Sequence, residues 1–177
     1  MTDQHIHAPQ ILNTNLTDLP MVLWLFEQAM MLNNQQGYKV WTTIDKAALQ
    51  RDIENNLQYK ILVGKDVRCI FSVQFSDPFI WGERDSSDAI YLHRIVVHPD
   101  FKGQRQFEVV LRWTKEFARQ RKLTYIRMDT WGDNPRIIAY YQSFGFAVVG
   151  MRTTENTPEL PIQNRNLNVA LLEMALS

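Results

Sequence analysis

The chain has one cysteine, Cys69, in 177 residues, so no intramolecular disulfide can form. It has no net charge, with 19 Lys and Arg against 19 Asp and Glu, and no whole-molecule field points to nucleic acid or an anionic membrane as partner. Long hydrophobic runs are missing. The longest near-apolar stretch, Pro20 to Leu32, contains Glu27 and Gln28 and falls short of the ~20 residues that span a bilayer. The start, MTDQHIHAPQ, lacks the charged and apolar regions of a signal peptide, so a cytoplasmic location is expected. There is no Gly-x-Ser-x-Gly, no Walker loop, no dinucleotide fingerprint, no internal repeat and no low-complexity segment. His5 and His7 lie at the terminus and His98 in a turn without an obvious ligand partner, so no metal is expected.

What is present is a chain with 45% hydrophobic residues, enough for one sizeable core and read as one domain over 1–177. A thin strand over 5–13 precedes a helix capped by Thr17 or Asp18, with Pro20 in its first turn. From Met21 to Leu32 that helix is apolar almost all round. It is therefore either covered on several sides, the reading preferred here, or keeps one face for a ligand. A second helix starts near Asp45, with Leu49, Ile53 and Leu57 as its stripe and Arg51, Asp52 and Glu54 toward water. Between the two, Tyr38 and Trp41 either pack or line a substrate pocket.

A hairpin follows, in which Val67, Cys69, Phe71, Val73 and Phe75 alternate with polar residues. Cys69 is then a buried, inert thiol. The loop SDPFIWGERDSSDA, with Trp81 and Glu83, is a candidate substrate loop. From Tyr91 to Gly150 the pattern is strand, turn, amphipathic helix, strand, short helix, strand. In the first of these strands Leu92, Ile95 and Val97 are out of phase, which a β-bulge at His93 or Arg94 would repair; a strand buried on both faces would need none. The turn from His98 to Gln106 opens a helix whose first N–H groups lack partners, a place where a phosphate binds. Asn134, Pro135 and Gly145 bracket the short helix as cap, first-turn proline and terminator.

LHRIVVHPDFKG followed by NPRIIAYYQSFGF resembles the two signature motifs of the GNAT superfamily of N-acetyltransferases, over about a third of the chain. Ile95, Val97 and Pro99 match its strand ending. Asn134, Tyr141, Gly145 and Phe146 match its second motif. In the loop Lys102, Gly103, Gln104, Arg105, Gln106, Phe107, the family's two later glycines are replaced by Arg105 and Phe107. The resemblance implies an α/β (α+β) fold with a mixed, mainly antiparallel sheet of about six or seven strands. The strands at 90–97 and 123–131 would be parallel neighbours.

The resemblance also implies acetyl-CoA as co-substrate, held by Ile95, Val96 and Val97, by the loop from Lys102 to Phe107, and by Asn134, which a cap alone also explains. It implies Tyr141 as the acid that protonates the departing thiolate. LHRIVVH is similar to a run in the aromatic-amine branch of the superfamily, which makes His93 a candidate base, with Tyr91 or a water chain as substitutes and a structural histidine as the other reading. The acceptor expected is a primary amine of a small molecule or peptide, with Tyr38, Trp41, Trp81, Glu83, Trp131 and the 152–166 loop as its rim. A homodimer is left open. The competing function is a non-catalytic GNAT-like module with a degenerate phosphate loop.

Overall fold

The computed structural model describes residues 8–37 and 41–177. Tyr38, His5 and His7 lie outside the described residues. Seven strands form one sheet in the order β1-β2-β3-β4-β5-β7-β6, with β1 Gln10–Asn13, β2 Gln58–Val63, β3 Asp66–Gln74, β4 Ala89–Val97, β5 Tyr125–Trp131, β6 Ala147–Thr153 and β7 Asn168–Ala175. The β4–β5 pair is parallel and the other neighbours are antiparallel. The crossover that makes β4 and β5 parallel is the helix α4, Gln106–Gln120.

Alternation along the strands sends side chains to both faces of the sheet, where three buried clusters form, one of them joining Trp81 and Tyr91 to Leu160 and Leu171. Ile90, Leu92, Ile126 and Met128 meet Phe107, Val110, Leu111 and Ala118 of α4 on one face. There α5, Pro135–Gln142, adds Tyr141. On the other face, Ile70 and Val96 pack on Val22, Leu25 and Phe26 of α1 (Leu19–Gln35) and Leu49 of α2 (Lys46–Glu54). Each fully buried Leu, Ile or Phe of these cores contributes about 1.5–3 kcal/mol. The β3 strand is buried on both faces from Cys69 to Val73, Ile70 included, so its alternation is only half of its environment.

Two helix expectations are corrected. The apolar α1 is not covered on several sides: Trp24 and Met31 are exposed, and Ala29, Met30 and Asn33 border a cleft. Asp52 of α2 does not face water; it is 6% exposed and paired with Arg94. The 76–89 loop contains a single helical turn, α3 (Pro78–Trp81), which plants Trp81 against Tyr91 with ring centroids 5.6 Å apart. Among the described residues no helix is long and apolar enough to cross a membrane.

Candidate active site

The site is made by a fork. Parallel pairing of β4 with β5 runs from Ala89↔Tyr125 to Leu92↔Met128 and then stops, while both strands continue. Among the described residues, the edge of β4 that faces β5 has no strand partner beyond Leu92. The cause is local: on β3 the register passes from Ile70 to Ser72 while on β4 it passes from Val96 to His93, one extra residue on β4. Arg94 takes the left-handed conformation at φ 51°, as a residue at a bulge does. Its guanidinium pairs with Asp52, whose other oxygen accepts from Gln74 Nε2 at 2.9 Å, so the bulge is tied to α2 and β3.

The fork opens a cavity of about 180 Å³ bordered by both strands and by residues from both faces of the sheet. Met30, Asn33 and Trp41 come from the α1 side, and Ile137 and Tyr141 from α5. A wider trough of about 620 Å³ adjoins it through Ile95 and Val96 and reaches Lys102, Gly103, Arg105 and Gln106 at the start of α4. The first N–H groups of that helix point out of its N-terminus, Gly103 has φ +80°, and an added Cβ there would meet nothing within 4 Å. An unpaired strand edge leading to a helix N-terminus fits a long ligand that ends in phosphates.

The phosphate-loop departures have physical roles. Arg105 is the N-cap of α4 in the left-handed region, at φ 57°, and its side chain pairs with Glu108. Phe107 is 4% exposed and lies 5.0 Å from the Tyr141 ring and 4.9 Å from Phe144, so its side chain is core between α4 and α5. Only its backbone belongs to the loop.

The other expected site residues divide. Trp41, Trp131, His93 and Tyr141 border the cleft, with Asn164 and Leu167 from the long loop before β7. Tyr91 and Trp81 do not, because they belong to the core behind the sheet. The Tyr91 hydroxyl oxygen accepts from Arg127 Nη1 at 2.9 Å and from the Ser86 N–H at 3.2 Å, a fully used structural group. Glu83 is exposed in a single 3-10 turn away from the cleft. Asn134 caps α5, its Oδ1 accepting from the Ile137 N–H at 3.2 Å.

Two residues that nothing in the sequence marks complete the site. His93 Nε2 lies 3.1 Å from Asp77 Oδ2 and His93 Nδ1 lies 3.6 Å from Asp129 Oδ1. Burial pulls the His93 pKa down, but contact with Asp77 and the charges of Asp77 and Asp129 outweigh it and the net shift is upward. Burial pushes the Asp129 carboxyl up to about 6, with the His93 charge opposing and Asp77 adding. The three offer potential ligand atoms within 4.8 Å of one another. His93 turns one ring nitrogen toward each carboxylate, close to Asp77 and at ion-pair rather than hydrogen-bond distance from Asp129. Tyr141, half-buried, has its pKa raised chiefly by burial and stays protonated at neutral pH.

The cleft thus combines a forked parallel pair, an open helix N-terminus and a protonated tyrosine at its border. The sequence profile of the acetyltransferase (GNAT) family matches residues 32–146. The chain belongs to that family. This family member is 31% identical over 74 residues to YesJ, an uncharacterised N-acetyltransferase of Bacillus subtilis; the match spans 42% of this chain and 41% of that relative. A GNAT-family acetyltransferase from Listeria monocytogenes has the same fold at TM-score 0.77 and 16% identity, covering 99% of each chain. The ribosomal-protein-alanine N-acetyltransferase of Brucella melitensis matches at TM-score 0.65 and 20% identity, covering 94% of this chain and 99% of its own. The protein yncA of Salmonella typhimurium, solved with its cofactor acetyl-CoA, matches at TM-score 0.66 and 14% identity, covering 96% and 95%.

Proposed function

We propose that the chain is an acetyl-CoA-dependent N-acetyltransferase that moves an acetyl group to a primary amine of a small molecule or peptide by direct attack on the thioester. The observation that carries this reading is the fork past Leu92 and Met128, with Tyr141 bordering the gap it leaves. When bound, acetyl-CoA supplies the activated acetyl group. The unpaired edge of β4 from His93 to Val97 lines its arm, and backbone N–H groups there polarise the carbonyl. The N-terminus of α4 and the Lys102 and Arg105 side chains take the phosphates. Tyr141 holds the proton that the leaving sulfur needs. The acceptor enters from the α1 side, between Trp41 and Trp131. A cytoplasmic setting belongs to the same proposal.

A second reading has its own observation: the left-handed Arg105 and buried Phe107 occupy loop positions where small residues allow close approach of phosphate. In that case the chain binds ligand without turnover. Calorimetric titration of CoA, followed by a screen of primary amines with acetyl-CoA, separates the two. Saturable CoA binding with amine-dependent thiol release is the expected result. Binding without release for any amine would favour the non-catalytic module.

A further inference from the structure

Both ring nitrogens of His93 face carboxylates, Nε2 toward Asp77 and Nδ1 toward Asp129. Each nitrogen has a carboxylate as neighbour, so an amine approaching His93, the candidate base of the sequence reading, would meet Asp129 beside Nδ1 and Asp77 beside Nε2. Asp129 is placed differently. It is the first β5 residue beyond the last β4–β5 pair, it borders the cleft together with Trp131, and its side chain, whose Oδ1 lies 3.6 Å from His93, is 17% exposed against 11% for Asp77. Asp77 does not border the cleft. Counted from the cleft, the order is therefore carboxylate, imidazole, carboxylate.

We infer that Asp129 receives the acceptor as an ammonium and takes its proton, that His93 and Asp77 are positioning residues holding that carboxylate, and that the acceptor class is cationic primary amines. The inference rests on the N-acetyltransferase reading above. The charge count suits it. With His93 protonated and both acids ionised, the cluster carries one net negative charge in a cleft bordered by Trp41 and Trp131. The charged and titratable groups facing Asp129 are His93 and Arg94 from β4, Asp77 from the loop before α3, and Tyr141 from α5. The Arg94 charge is engaged by Asp52.

A carboxyl with a pKa of about 6 is mostly ionised at neutral pH, yet stands closer to an alkylammonium, ~10.4, than an ordinary aspartate does. In the transfer, one ammonium proton passes to Asp129 and frees the nitrogen lone pair. That pair forms the N–C bond as the carbonyl π pair moves to oxygen. When the carbonyl re-forms, the C–S bond breaks and its electrons leave on sulfur. Tyr141 gives that sulfur a proton and is re-protonated with the second proton lost from nitrogen. Ammonium and thioester thus become amide, thiol and one proton, which Asp129 returns to solvent.

The test uses the full chain, acetyl-CoA, and a panel of phenethylamine, putrescine and a peptide with a free N-terminus, with kcat/KM followed from pH 4.5 to 8. The wild type should show an acidic limb near pH 6. Asp129→Asn should lose it, fall ~10²- to 10⁴-fold in rate, and bind CoA as the wild type does by calorimetry. His93→Gln and Asp77→Asn should keep a limb with a displaced midpoint, which a merely structural role would not produce. An Asp129→Asn enzyme with the wild-type rate and limb overturns the inference, as does a His93→Gln enzyme that alone loses the limb. Wild type that binds CoA but acetylates none of the panel overturns the cationic acceptor. Failure to bind CoA defeats the N-acetyltransferase reading beneath it.

Discussion

Arg94 holds a left-handed backbone at the β4 bulge while its guanidinium pairs with Asp52 on α2, 42 residues away in sequence. The side chains are 6% and 9% exposed, so neither charge can turn to water if the other is lost. Asp52→Ala is expected to cost about 3–5 kcal/mol in urea unfolding. Arg94→Gly should cost less, because glycine accepts the same φ without strain. Equal losses would mean that the bulge does not depend on backbone freedom at this position.

Tyr141→Phe keeps the ring that packs 5.0 Å from Phe107 and removes a single proton donor. Turnover should fall ~10²- to 10⁴-fold, about 3 to 5 kcal/mol at the transition state, with the melting temperature nearly unchanged. A destabilised enzyme of normal kcat would make Tyr141 structural.

Arg105→Gly removes a left-handed non-glycine residue, so stability should rise by about 0.5–1 kcal/mol, little offset by an exposed pair with Glu108. CoA affinity should weaken and become less salt-dependent if the guanidinium meets phosphate. Tighter binding would show that the side chain obstructs the loop. Phe107→Ala, by contrast, should cost about 3–5 kcal/mol, since it empties the contact with Tyr141 and Phe144.

Stability should fall as pH rises from 4 to 8. Asp129 and His93 both have folded-state pKa values above their ordinary ones, so the folded chain binds protons more strongly than the unfolded chain. The Asp129 contribution is complete below about 3.8 and gone above about 6; the His93 contribution is complete below 6.5 and lost at higher pH. Asp85 and Asp88, whose pKa values are lowered, act in the opposite sense and only below that window. Denaturation across this range should give a downward slope that Asp129→Asn flattens, and an upward slope in the wild type would contradict the assignment.

Burial pushes the Cys69 thiol up to about 12, and the residue is fully covered. Iodoacetamide at pH 8 should leave the native protein unmodified and label one thiol in denaturant. Rapid native labelling would place Cys69 outside the core.

Local rules explain what the sequence discloses. The parallel β4–β5 pair follows from the helix between them, and α5 from Asn134, Pro135 and Gly145, because each signal lies within a turn of the structure it sets. The bulge is visible in the spacing of Leu92, Ile95 and Val97 for the same reason. Asp52 looks solvent-facing because it sits between Arg51 and Glu54, and only the arrival of Arg94 buries it. Asp77 and Asp129 carry no local signal at all; sheet pairing brings them to His93 from separate segments. Tyr91 and Trp81 read as site aromatics, and α3 instead turns one onto the other behind the sheet.

The position of β7 between β5 and β6 governs how order can spread through the sheet. Among the described residues β6 pairs with β7 and with no other strand, while β7 matches β5 along all of Tyr125–Trp131. Residues 154–167 must therefore close as a loop before β6 gains a hydrogen-bonded neighbour, a non-local step that slows folding. The β6 strand has no route to order ahead of β7, and whatever loosens β7 releases it first.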